Sequence, residues 1–215
     1  MDKDKKIIAE KLVAGIRKHF PNPKIELNYK NEFELVIAVL LSAQTTDKKV
    51  NEVTPYLFEK YPTPQKLADA EIEALCKIVK PLGFFKRKSD LIKKCARVIC
   101  EKFNGKIPST IEELIQLPGV GRKTASAVLV NAFHKPAIVV DTHVIRVATE
   151  RLKLSKARDA DKIEQELASI FPEKDWQFIA NGLVLFGRHV CTAKNPQCSS
   201  CNIYDLCTYE NKSIK

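Results

Sequence analysis

Glycine is scarce in this chain, seven in 215 residues, and four of them (Gly83, Gly105, Gly119 and Gly121) fall at what read as helix junctions. No apolar run approaches the roughly 20 residues that a bilayer-spanning helix needs, so no membrane partner is expected. The opening MDKDKKIIAE lacks a signal peptide's apolar centre, which leads to the expectation of a cytoplasmic protein. Nowhere does a two-residue alternation persist, which argues against a sheet protein. Low-complexity tracts and solenoid-length repeats are also missing. The length fits one large domain or two small ones sharing a core. A content of 45% hydrophobic and 29% charged residues excludes a disordered chain.

Helical periodicity fills the space those absences leave. In SDLIKKCARVICEKF, Leu91, Ile92, Cys95, Val98, Ile99 and Phe103 share a face, and Ile8, Leu12 and Ile16 recur at four-residue spacing near the start. FELVIAVLLSAQ is apolar nearly all round and predicts a buried helix. Further helices are expected over residues 110–116, 122–133, 142–152, 160–170 and 175–189. PAIVVD is the best strand candidate, but it stands alone. The fold class is therefore all-α.

Negative charge is the minority: 36 Lys and Arg face 26 Asp and Glu, a formal charge of +10. Such a surface suits a polyanion, nucleic acid above all, or serves solubility. Cys76, Cys95 and Cys100 are scattered through helical patterns and read as small core residues. The other four cysteines crowd together as Cys191-x6-Cys198-x2-Cys201-x5-Cys207. In a reducing compartment this cluster reads as a metal site, and its spacing suits zinc or an iron–sulfur cluster equally.

Two short stretches carry candidate chemistry. In TIEELIQLPGVGRKTASAVLVNAF, Pro118 stops one helix, and Gly119 and Gly121 permit positive φ in the turn before the next. The turn's amides then either face an anion such as a phosphate or simply connect two helices. Arg122 and Lys123 stand in the first helical turn, where positive charge opposes the helix dipole. Such a lysine is either a solvated residue at small cost or an amine pushed toward its neutral, nucleophilic form. In AIVVDTHVIRVATERL, Asp141 occupies an N-cap position, with Val140, Val144 and Val147 at helical spacing. A carboxylate held by amides stays ionised and can steady a developing positive charge. His143 reads as structural or as a phosphate contact.

LLSAQTTD, LPGVGRKTA, VDTHVIR and the C-terminal cysteine loop occur here in the order found in the endonuclease III family of helix-hairpin-helix DNA glycosylases, a resemblance running from about residue 7 to Cys207. The resemblance implies two helical lobes with a DNA groove between them, a helix-hairpin-helix motif and a C-terminal [4Fe-4S] loop. Residues 1–23 would begin the cluster domain, residues 24–135 would form the helical domain ending in the hairpin, and residues 136–215 would complete the cluster domain. It implies a monomeric base excision repair enzyme, cytoplasmic and associated with the nucleoid. That enzyme would remove oxidised pyrimidines from double-stranded DNA and cleave the abasic site by β-elimination.

By the same resemblance Lys123 forms the Schiff base and Asp141 stabilises charge and assists proton transfer. Cys191, Cys198, Cys201 and Cys207 hold the [4Fe-4S] cluster. Gly119, Val120, Gly121, Arg122, His143 and Lys194 meet the DNA backbone, and Gln44, Asp47 and Phe84 act where the duplex opens around a flipped base. Taken singly, Gln44 reads as a polar residue ending a buried helix, Asp47 as an N-cap and Phe84 as a core residue. The chain departs from the family pattern at Phe85, where tyrosine is common, and at Asn195 and Gln197, where the loop is usually more basic. Mismatch glycosylases of the same superfamily generally lack the lysine at position 123. A noncatalytic DNA-binding module would account for the charge and the turn but not for Lys123 with Asp141.

Overall fold

A computed structural model of the chain describes residues 3–213. The α-helices are α1 (Lys3–His19), α2 (Glu32–Leu41), α3 (Asp47–Lys60), α4 (Pro64–Ala68), α5 (Ile72–Val79), α6 (Phe85–Phe103), α7 (Ile111–Leu114), α8 (Arg122–Ala132), α9 (Thr142–Ile145), α10 (Ala160–Ile170) and α11 (Glu173–Leu185). No strand forms among the described residues, and no helix there is long and apolar enough to cross a membrane. Ala137–Val140 lie buried and extended, but they find no second strand to pair with. The chain is all-α, as its patterning implies.

Contacts divide the chain into two compact units. The unit Glu26–Phe133 is built around α2, whose apolar circumference is buried by α3, α6 and α8. Asn31 caps α2 by accepting the Glu34 amide, so this apolar segment starts at a defined residue. Helix α6 begins at Phe85, four residues earlier than its apolar stripe suggests, and buries Ile92, Cys95, Ala96 and Ile99. Helices α4 and α5 pack on it. Cys95 is fully enclosed, and burial pushes its thiol up to about 12, so it is an inert core residue.

The other unit joins the residues up to Ile25 with those from His134 onward. Leu12 and Ile16 of α1 enter a core with Val144, Val147, Ile163, Leu167, Phe171, Ile179, Leu183 and Phe186. Two expected helices change character midway. After α9 the chain widens into a π-helical stretch, Arg146–Arg151, and after α11 into a second, Phe186–Val190. In the second, the Cys191 amide reaches back five residues to the Phe186 carbonyl at 2.8 Å. A Cβ on Gly187 would lie 2.9 Å from the Cβ of His143 and 3.0 Å from its carbonyl, so only glycine permits this approach. Both π stretches adjoin residues singled out from the sequence, a recurrent location for such widened turns.

Candidate active site

Between α7 and α8 the chain makes a closed turn in which the Val120 amide donates to the Leu117 carbonyl at 3.0 Å. Gly119 adopts φ +79°, and a Cβ there would also press on the Leu91 and Leu40 side chains. Gly121 does not share that conformation. Its φ of −91° is open to any residue, and a Cβ would meet nothing within 4 Å. Positive φ therefore explains one of the two glycines. The second keeps bare backbone at the surface just where α8 begins. Val120, between the two glycines, is buried. No side chain caps α8, and Arg122 and Lys123, its first two residues, are both exposed.

Asp141 ends the buried extended stretch and is itself only 8% exposed. Its Oδ1 accepts the amides of His143 at 2.8 Å and Val144 at 2.9 Å, which leaves Oδ2 outside the cap. His143 is half-buried. Burial lowers its pKa, against the raising pull of Asp141 and with the help of Arg188 and Arg146. The neutral ring lies 3.4 Å, at Nδ1, from Arg146 Nη2. Arg146, which the sequence did not single out, also donates to the Gly187 carbonyl and, through Nη2, to that of Cys191 at 3.0 Å.

Gln44 and Phe84 share two properties, exposure and a left-handed backbone, with φ of +53° and +46°. Phe84 is 66% exposed and so is not a core residue. Asp47 does not cap α3. Thr46 does, accepting the Lys49 amide, and Asp47 is the first helical residue. Phe85 is half-buried at the start of α6. Three residues on, Lys88 is buried, although it ends a run of three cations, Lys86–Lys88. The missed signal is its place three and four residues before Leu91 and Ile92, on the apolar stripe.

Of the four clustered cysteines, Cys198 is buried and the other three are half-buried. Burial pushes the Cys191 thiol up to about 11, opposed by Arg151 and Arg146 and reinforced by Cys207 and Cys201. Those charge effects link Cys191 with Cys201 and Cys207. Among the described residues, no three His, Cys, Asp or Glu side chains close around a point as a single metal ion requires. An iron–sulfur cubane, with an iron at each corner, holds its thiolates farther apart than one tetrahedral zinc does. Arg151 is 4% exposed, and its Nε and Nη1 have no hydrogen-bond partner. Its guanidinium lies 3.4 Å from the Tyr209 ring centroid, and it is the largest cationic influence on Cys191. A buried guanidinium acting on Cys191 suits an anionic cluster. Lys194 is exposed between the first two cysteines.

The hairpin, Lys123, Gln44, Asp47 and Phe84 belong to the Glu26–Phe133 unit, whereas Asp141, His143, Lys194 and the cysteines belong to the other. Residues 37–173 match the HhH-GPD superfamily of base excision DNA repair proteins, and residues 191–207 match the iron-sulfur binding domain of endonuclease III. Endonuclease III of Haemophilus influenzae is 42% identical over 212 residues, which cover 99% of each chain. Among solved structures, a non-covalent endonuclease III–DNA complex is 41% identical with a TM-score of 0.89, covering 94% of this chain and 95% of that one. A trapped endonuclease III–DNA covalent intermediate is 42% identical with a TM-score of 0.86, covering 91% and 92%.

Proposed function

This chain belongs to the HhH-GPD superfamily of base excision DNA repair proteins, in its endonuclease III family, and from that premise we propose that Lys123 is its nucleophile and Asp141 its charge-stabilising partner. It is a DNA-binding iron–sulfur enzyme, a bifunctional DNA glycosylase and abasic-site lyase. The observation that supports the assignment is Lys123 itself, exposed in the first turn of a helix without a side-chain cap. An amine there is reachable by a flipped nucleotide, and the first-turn amides beside it can take the nucleotide's phosphate.

The chemistry follows from those groups. Nζ of Lys123 bonds to C1′ of the damaged nucleotide while the bond from C1′ to the base breaks, the base leaving with the electron pair and gaining a proton. The sugar ring opens as nitrogen becomes a protonated imine. Loss of a C2′ proton then expels the 3′ phosphate by β-elimination, and water releases the lysine. Asp141, ionised and held by two amides at Oδ1, faces the positive charge that grows on the sugar and relays protons through Oδ2.

Oxidised pyrimidines in duplex DNA are the substrates, handled by a monomer in the cytoplasm, on the nucleoid. Gly119, Val120, Gly121 and Arg122 hold the backbone with His143 and Lys194, while Gln44 and Phe84 open the stack and Asp47 lies beside the flipped base. Cys191, Cys198, Cys201 and Cys207 hold a cluster of the [4Fe-4S] type, which supplies a rigid, anionic cross-link for the loop. Purified protein should contain iron and sulfide at about four each per chain. The deciding experiment is borohydride trapping on a duplex with one thymine glycol. Wild type should give a covalent adduct, and Lys123→Gln should bind the duplex without trapping. Base release by wild type with no trapped adduct would remove Lys123 from the mechanism.

A further inference from the structure

Lys88 is 5% exposed, and its recorded partners are neutral oxygens. The ammonium donates to Oγ1 of Thr45 at 2.5 Å and to the carbonyl of Leu82 at 3.0 Å, while the Thr45 hydroxyl donates to that same carbonyl at 2.8 Å. Three groups from three segments thus form one closed triangle. The Lys88 amide also donates to the Phe84 carbonyl at 3.0 Å, which fastens the residue to the start of α6. Burial lowers the pKa of this amine, so the site is an unfavourable place for a lysine. A methionine would fill the same space without that cost but could bridge nothing.

What the triangle joins is specific. Gln44 directly precedes Thr45, and Phe84 follows Leu82 by two residues. Both are exposed non-glycine residues at positive φ, a conformation that persists only where the surroundings impose it. The Lys88 network grips Thr45, next to Gln44, and Leu82, two residues before Phe84, and so braces the backbone at both strained positions. Neither loop is paired to the other by a backbone ladder. Thr45 joins the loops directly through its own bond to Leu82, and Lys88 adds the other two sides of the triangle.

We propose that Lys88 is a positioning residue, its buried ammonium locking the Gln44 and Phe84 loops into one rigid two-pronged wedge that enters the duplex at the damaged nucleotide. The proposal rests on the reading that Gln44 and Phe84 open the DNA. The wedge acts on the step that unstacks the base, since an untied prong would still touch DNA but would yield under the stack. Lys88 contacts no reacting atom, and its effect passes through the two loops.

The test uses the full-length, iron–sulfur-loaded protein and a duplex with one thymine glycol beside a 2-aminopurine, whose fluorescence rises as the neighbouring stack opens. Lys88→Met should slow both the fluorescence rise and base release at saturating enzyme by about tenfold or more, with undamaged-duplex affinity within about twofold of wild type. Thr45→Val, which removes only the hydroxyl of the triangle, should reproduce the defect, and Thr45→Ser should restore the wild-type rate. Should Lys88→Met fail to fold, the Thr45 pair carries the test alone. Wild-type opening rates in Thr45→Val, or a slowing matched by equal losses of thermal midpoint and undamaged-duplex binding, would overturn the proposal. If wild type binds the lesion duplex but shows no fluorescence rise, the duplex-opening reading itself fails and Lys88 falls with it.

Discussion

At the N-terminus of α9 the Asp141 carboxylate takes two amides at 2.8 and 2.9 Å, whereas at that of α8 Gly121 presents no side chain and two exposed cations follow. The first terminus satisfies its orphan amides from within and fixes one carboxylate oxygen while leaving the other outside the cap. The second leaves its positive end open and adds positive charge to it. Elsewhere in the same unit as α8, Asn31, Thr46, Thr63 and Thr110 all cap their helices. Helices α5 and α6 also start without a side-chain cap, but of these three only α8 pairs a bare glycine N-cap with two exposed cations, which suits a helix whose ligand comes from outside.

The sharpest way to break the contrast is Lys123→Gln, which keeps the open terminus and removes the nucleophile. Strand cleavage and imine trapping should fall by about a thousandfold or more, with duplex binding little changed. Parallel losses of binding and cleavage would mean that Lys123 merely holds phosphate. Asp141→Asn comes next, because an amide oxygen can still accept the His143 and Val144 amides. The thermal midpoint should stay close to wild type while base release slows by about a hundredfold. Asp141→Ala should lose about 1 kcal/mol of stability as well, and chemistry without that extra loss would show that the cap is not worth what its geometry implies.

The two hairpin glycines separate stability from binding. Gly119→Ala, at φ +79°, should cost about 2 kcal/mol, most of it backbone strain, since the crowding Leu91 methyls can swing aside. Gly121→Ala, with open space and an ordinary φ, should leave the denaturation midpoint unchanged and weaken duplex binding. An unchanged affinity would show that no phosphate comes close to that backbone.

The smallest effect concerns pH. Burial lowers the pKa of both His143 and His19, and the His19 Nε2 accepts the Asn202 amide at 3.1 Å, which a protonated ring could not do. The unfolded chain, with imidazoles near about 6.5, therefore binds protons more readily than the folded one. Stability from these rings is complete above that pH and is lost as pH drops through it toward the lower folded values. Because both rings are only half-buried, the thermal midpoint should fall by only about a degree or two between pH 7.5 and 5.5. His19→Gln, whose amide oxygen can accept the same bond without titrating, should show a smaller fall; an equal fall would acquit His19.

Sequence alone determined what depends on a few neighbouring residues. The Pro118 stop, the Asp141 cap, the cysteine spacing and the apolar stripes of α2 and α6 all express interactions that span one or two helical turns, so they are written into short windows of sequence. Tertiary structure decided whatever needs a partner from elsewhere. PAIVVD has a strand's composition, yet a strand exists only when another pairs with it, and none does among the described residues. Thr46 rather than Asp47 took the cap of α3, since either suits the position and the path of the preceding loop chose between them. The second π-helical stretch brings Gly187 against His143, a contact between residues 44 apart in sequence. Lys88 is the clearest case. It ends a run of three cations, and only the arrival of Thr45 and Leu82 supplies oxygens that make a buried ammonium tolerable, because desolvation is compensated by specific partners and not by composition.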